Sequence, residues 1–170
     1  MPDANDSGWA STVVVGSLTG IALTVDWLPH EVAGRFTLDG TASGVVSRDA
    51  YLAIAIGATV LLPAIATLLL RLLVLHGSEL VQIPNAAYWL AEHRREHTAR
   101  YLARRSIWLA ALISLLTFAL HLLVLRANHL QPARIEPGAM GGVLVAFAAA
   151  FSAWVAQLRR HFARTGTVAQ

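Results

Sequence analysis

The sequence predicts an all-α integral membrane protein in which four transmembrane helices form two antiparallel hairpins, joined by a cytoplasmic Arg-rich interfacial helix. Three observations lead there. The chain of 170 residues is 56% hydrophobic and only 14% charged, whereas charged residues make up about a quarter of a typical soluble domain. Its apolar residues gather into four runs, each close to the ~20 residues needed to cross hydrocarbon. Its cations are all arginines, and they crowd between the second and third runs and after the fourth.

The first expected span covers residues 8–28, which are free of charge until Asp26 and carry Trp9 and Trp27 near their ends, where indoles favour the membrane interface. Thr12, Gly16, Gly20 and Thr24 recur every fourth residue along it, a small-residue face on which another helix backbone can come close. Residues 29–49 form an outer loop in which Asp39-Gly40 marks a tight turn and a small hairpin. The second span covers residues 50–75, and Pro63 near its middle removes one backbone donor, which should kink it.

Residues 76–105 make the cytoplasmic hinge. Pro84-Asn85 reads as a helix start with Asn85 as cap, and an interfacial helix should follow, with Tyr88 and Leu102 against the bundle or bilayer. Arg94, Arg95, Arg100, Arg104 and Arg105 in the hinge, and Arg159 and Arg160 in the tail, should contact anionic lipid headgroups and hold both segments on the cytoplasmic side. The third span covers residues 106–126, with His121 as the ionisable residue inside it. After an outer loop at 127–137, the fourth covers 138–158 with a second small-residue row at Gly138, Gly142, Ala146 and Ala150. Both termini then face the cytoplasm. The N-terminal residues carry Asp3 and Asp6 but no cation, so the first run is expected to remain as an anchor instead of being cleaved as a signal peptide.

Several function classes are disfavoured at once. The chain has no Cys, which removes disulfides, thiolate metal sites and thiol nucleophiles. Arginines scattered between spans, without interleaved stacking aromatics, argue against nucleic acid as a partner. His93, Glu96 and His97 fit the pattern H-x-x-E-H of a zinc hydrolase, but neighbouring arginines repel a divalent cation and a third protein ligand is wanting. No metal, catalytic residue or enzymatic activity is therefore expected. Nor is a cofactor: His76 and His121 fall at opposite depths, roughly 20 Å of helix rise apart, too far for one haem to bridge.

Asp26 and His121 are different, since both come late in spans running outward, and an intramembrane ionisable pair is a functional candidate. They are expected to approach each other or to share a water.

The outer loop carries a further signal. Leu28-Pro29, Val32, Phe36, Gly40 and Ser47-Arg48 resemble the pattern L-P-x-x-V-P-x-H-F-x-x-x-G followed by S-[RK] of a bacterial membrane family of unknown function, whose loop domain also begins SdpI-type immunity proteins. Pro84, Asn85, Tyr88 and Trp89, with Arg94-Arg95, are similar to the I-P-N-x-x-Y-W-L stretch of family members of about this length. Ala33 stands where the pattern has Pro, and Arg35 where it has His. The resemblance implies a multi-pass protein of the bacterial plasma membrane, with immunity or signal sensing among the longer relatives.

The function that follows is non-enzymatic: helix–helix contact, as an accessory subunit, sensor or immunity-type partner of another membrane protein, or as a homo-oligomer. The competing expectation is a small transporter or proton-coupled carrier using Asp26 and His121.

Overall fold

The computed structural model describes residues 4–37, 39–76 and 83–163. Residues 77–82 of the expected hinge, Asp3 and Arg164 lie outside them. Five helices and one β-hairpin follow in the order α1 (Ala4–Thr24), β1 (Glu31–Phe36), β2 (Ala42–Ser47), α2 (Arg48–Leu75), α3 (Ala86–Trp89), α4 (Glu92–Asn128) and α5 (Pro137–Ala163). Four are long and apolar enough to cross a membrane: Gly8–Trp27, which includes a 3-10 turn at Val25–Trp27, then α2, α4 and α5. The fold class is thus mostly helical, as expected, but the two-stranded sheet makes it not purely so.

Local chemistry sets the boundaries. Ser47 caps α2, its Oγ accepting from the Ala50 N–H at 3.3 Å, and Asp49 adds negative charge to the first turn. The helix runs unbroken through Pro63 to Leu75. Pro137 opens α5 at a position where its missing N–H costs nothing, and Arg160 and His161 in the last turn complement the negative end of the helix dipole.

The largest departure from expectation concerns the hinge. It is not one separate interfacial helix: α3 is a single turn, and from Glu92 the Arg-rich segment is already the start of the third long helix. From Glu92 to Asn128 no Gly or Pro interrupts it. At 1.5 Å per residue, α4 is roughly 55 Å long, well beyond the ~30 Å of a hydrocarbon core, so its Arg-bearing turns extend past its apolar run.

Helix α4 is the central element and touches α1, α2 and α5. Trp9 meets Trp108 at 4.0 Å between ring centroids, and Thr24 meets His121, so α1 and α4 run in the same direction. Helices α2 and α5 run against them, since Val74 and Phe162 near their C-terminal ends pack with Ala99 and Leu102 near the start of α4. Small buried polar residues at Ser17, Thr59, Ser106 and Ser114 lie in the bundle interior. Thr59 and Ser106 return their hydroxyls to their own helix, on the Ala55 and Ala103 carbonyls, so a close approach of backbones costs no unpaired donor there.

Apolar clusters form at both ends of this bundle. At the hairpin end, Val25, Leu28, Val32, Val124, Leu125, Ala127 and Ile135 are buried together. At the arginine end, Val74, Ala99, Leu102 and Phe162 are.

Candidate functional site

His121 is the most buried ionisable side chain among the described residues, 1% exposed, and every polar atom of its ring is engaged. Nε2 lies 2.8 Å from Thr24 Oγ1 on α1, and Nδ1 lies 3.0 Å from the Tyr51 hydroxyl on α2. The Thr24 hydroxyl has one proton, and its 2.6 Å contact with the Gly20 carbonyl takes it, because a carbonyl only accepts. Thr24 must then accept from His121, which puts a proton on Nε2; in the neutral imidazole Nδ1 is then the acceptor for the Tyr51 O–H. Three hydrogen bonds therefore point one way, from Tyr51 through His121 and Thr24 to Gly20, and they tie three helices together. Phe118 flanks the ring at 6.5 Å, and the edge of Phe118 fills the space where a side chain on Gly20 would sit, 2.5 Å from its Cβ position.

Asp26 does not join this node. Its carboxylate lies on the 3-10 turn, 3.5 Å from Arg48 Nη1 and 82% exposed, so the expected Asp26–His121 pair is replaced by two separate arrangements. The cause is geometric: α1 ends at Thr24, and the turn that follows swings Asp26 outward to a cation at the start of α2. A carrier built on both groups loses one of them.

The residues of the loop pattern explain themselves by position. Leu28 and Val32 are buried in the apolar cluster at the hairpin end, with Phe36 packed against it. Pro29 is exposed, Ser47 caps α2, and Arg48 holds Asp26 and donates its backbone N–H to the His30 carbonyl. Gly40 has φ +83°, and a Cβ there would lie 1.9 Å from the Ile135 carbonyl oxygen. Only glycine fits both constraints. The Ile135 N–H donates back to the Gly40 carbonyl at 2.8 Å, and Thr41 bridges Arg134, so the hairpin fastens the α4–α5 connection. Asn128, which sequence reasoning missed, grips β1 from α4: its Oδ1 accepts from Ala33 N–H at 2.8 Å and its Nδ2 donates to the Ala33 carbonyl at 3.2 Å. Ala33 can make the first of these bonds because it is not Pro, which has no N–H. Arg35 is exposed and lays its stem along Gly44.

At the arginine end, Asn85 and Trp89 converge on one atom. Asn85 Nδ2 and Trp89 Nε1 donate to the Phe162 carbonyl at 3.1 and 3.0 Å, satisfying one of the orphan acceptors at the C-terminus of α5. Asn85 precedes α3 in the left-handed region, φ 55°, where Asn is tolerated. Its side chain does not cap α3, in contrast to the expected capping role. Pro84 is half-buried beside it. Arg94 lies 3.8 Å over the Tyr88 ring, Arg95 donates to the Leu90 carbonyl, and Arg100 pairs with Glu96 at 3.7 Å, while Arg104 and Arg159 are exposed. His93 and His97 are exposed, with His93 accepting from Arg94 and Glu96 engaged by Arg100.

The two small-residue rows differ. On α1, Gly20 packs against Phe118, whereas a Cβ on Gly16 would touch nothing within 4 Å, and Thr12 is exposed with its hydroxyl on the Gly8 carbonyl. On α5, Gly138 and Gly142 also meet nothing within 4 Å, Ala146 is exposed and Ala150 half-buried. Among the described residues, the C-terminal part of the α1 row, Gly20 and Thr24, meets α4 through Phe118 and His121.

Comparison with protein-family models, with curated proteins and with solved structures finds no match to this chain.

Proposed function

We propose that the chain is a non-enzymatic, multi-pass protein of the bacterial plasma membrane that acts through helix–helix contact on another membrane protein, as an accessory subunit, sensor or immunity-type partner. The observation that carries this reading is the open small-residue row on α5. Among the described residues nothing lies within 4 Å of where a Cβ on Gly138 or Gly142 would sit, and Ala146 is exposed; in a bilayer such a row lets a second helix backbone approach to van der Waals contact. In this reading the long helices form two antiparallel hairpins, and the arginine asymmetry sets the arginine end and both termini in the cytoplasm, against anionic headgroups.

The natural absence of Cys makes the test clean. Ala146→Cys in native membranes should yield a disulfide or maleimide cross-link to a neighbouring helix, and adding Gly142→Leu should abolish it while leaving thermal stability unchanged. Equal cross-linking from a cysteine at exposed Leu61 on α2, or none at Ala146, would overturn the assignment.

A further inference from the structure

At the arginine end a cleft of about 320 Å³ opens between α4 and α5. Tyr101 and Arg105 line it from α4, and Trp154, Gln157, Arg160 and His161 from α5. Among the described residues no carboxylate lines it, and the two guanidinium groups bring ten N–H donors between them in planar forks suited to oxyanions. Its walls are held in place: His161 stacks on Tyr101 at 4.0 Å with 10° between planes, and Trp154 Nε1 donates to the Arg105 carbonyl at 3.3 Å. Arg105 immediately precedes the apolar run of α4 that begins at Ser106, and Arg160 follows closely on the apolar run of α5 that ends at Leu158. The cleft therefore lies where apolar helix surface gives way to polar, the depth of the phosphate layer for a helix that spans a bilayer. Basic clefts between spanning helices at this depth suit phospholipid headgroups.

We propose that this cleft binds a phosphate ester, held between Arg105 and Arg160 with Gln157 as a further donor, and that its source is the headgroup of an anionic glycerophospholipid. The inference rests on the membrane placement proposed above, so resistance of the full chain to alkaline carbonate extraction is measured separately; extraction into the soluble fraction would sink that placement and leave the phosphate chemistry to be decided by the soluble arm below.

The test uses the full chain in nanodiscs of phosphatidylcholine with rising fractions of phosphatidylglycerol or cardiolipin, reading bound lipid by native mass spectrometry. Glycerol 3-phosphate and inorganic phosphate are titrated against detergent-solubilised protein in parallel. Removing both charges with Arg105→Gln and Arg160→Gln should weaken retention of anionic lipid roughly 25-fold, about fivefold for each arginine. Arg104→Gln with Arg159→Gln removes the same charge from exposed neighbours outside the cleft and should change retention less than threefold. Arg105→Lys with Arg160→Lys keeps the charge, loses the forks and should fall between. Thermal midpoints in pure phosphatidylcholine report folding of each variant. Displacement of lipid by soluble glycerol 3-phosphate would assign the site to phosphate from either source, whereas lipid retention untouched by it assigns the headgroup within its bilayer. Equal losses in the 105/160 and 104/159 pairs, or no selectivity for anionic lipid together with no binding of soluble phosphate, would overturn the proposal.

Discussion

Replacing Tyr51 by Phe removes one oxygen from the interior of the bundle and little else, which makes it the sharpest probe of the three-helix node. The ring still fills its place, so no cavity forms. What changes is that His121 Nδ1, 3.0 Å from the lost hydroxyl and on a residue 1% exposed, is left without its donor. An unsatisfied buried acceptor costs about 1–3 kcal/mol in water-soluble proteins, while side-chain bonds between membrane helices average about 0.6 and reach about 1.7 kcal/mol. About 1 kcal/mol is the expectation for Tyr51→Phe. His121→Leu removes the ring and both its bonds and orphans the Tyr51 hydroxyl, so it should cost more than Tyr51→Phe. The double variant should then lose about 1 kcal/mol less than the sum, because neither partner remains unpaired. Unfolding in detergent, followed by loss of helical signal, measures all four corners of this cycle. A parallel cycle of Asp26→Asn and His121→Gln should be additive, since those two side chains share no bond. Additivity in the first cycle with coupling in the second would refute the node as described.

Other consequences are as direct. Gly40→Ala should destabilise by about 2–3 kcal/mol, combining about 1–2 kcal/mol for a non-glycine residue in the left-handed region with the hydrogen bond to Ile135 lost at about 1 kcal/mol; a melting temperature equal to wild type would contradict it. The Thr37 hydroxyl above all, then that of Thr41, holds the Asp39 carboxylate below its ordinary value, so the turn draws stability from it fully above the ordinary carboxylate pKa of about 4, and that contribution disappears as pH falls through the lowered folded value. Protection of the hairpin amides, taken relative to their intrinsic exchange rates, should fall with acid over that window in wild type and stay flat there in Asp39→Asn. Trp89→Phe should cost about 1 kcal/mol by removing one of two donors to the Phe162 carbonyl, and the pair Asn85→Ala with Trp89→Phe should cost more than the sum, since only then is the carbonyl orphaned.

The long helices were legible because hydropathy and length report directly on how much of a chain can enter hydrocarbon, and nothing in the interior of a single span competes with that signal. The junction between hinge and third span was not, since hydropathy rises sharply at Ser106 while the backbone does not respond to it. A helix ends where a breaker or a cap offers the backbone something else, and the segment from Glu92 to Asn128 has no Gly or Pro. The polar node was half legible. His121 stood out as a lone ionisable residue in an apolar run, but its partner was sought among charges, where Asp26 seemed the obvious choice. Neutral hydroxyls proved the better match for a buried neutral imidazole, and Tyr51 was there to find as the lone aromatic of the second run. Asn128 carried no signal of its own, because pairing an amide with a strand 95 residues away is written in the tertiary fold.

Both ends of the bundle are closed by polar bonds that cross between segments far apart in the chain: Asn128 and Ile135 to the hairpin at one end, Asn85 and Trp89 to Phe162 at the other. Helix α5 is thus held at its two termini, through the Ile135 connection and the Phe162 carbonyl. Along its middle, aromatic residues such as Phe147 and Phe151 stack on each other, while the Gly138–Gly142–Ala146 row carries no bulk at all. A helix anchored at its ends presents its small-residue face in a fixed orientation, so a partner helix docking on it would lose less freedom in ordering the complex than one docking on an untethered helix. The anchors and the open row are therefore coupled: weakening the Phe162 clamp with Asn85→Ala and Trp89→Phe should reduce cross-linking from Ala146→Cys even though neither residue touches the row. Cross-linking that survives loss of the clamp would mean that the row docks without the preorganisation argued for it.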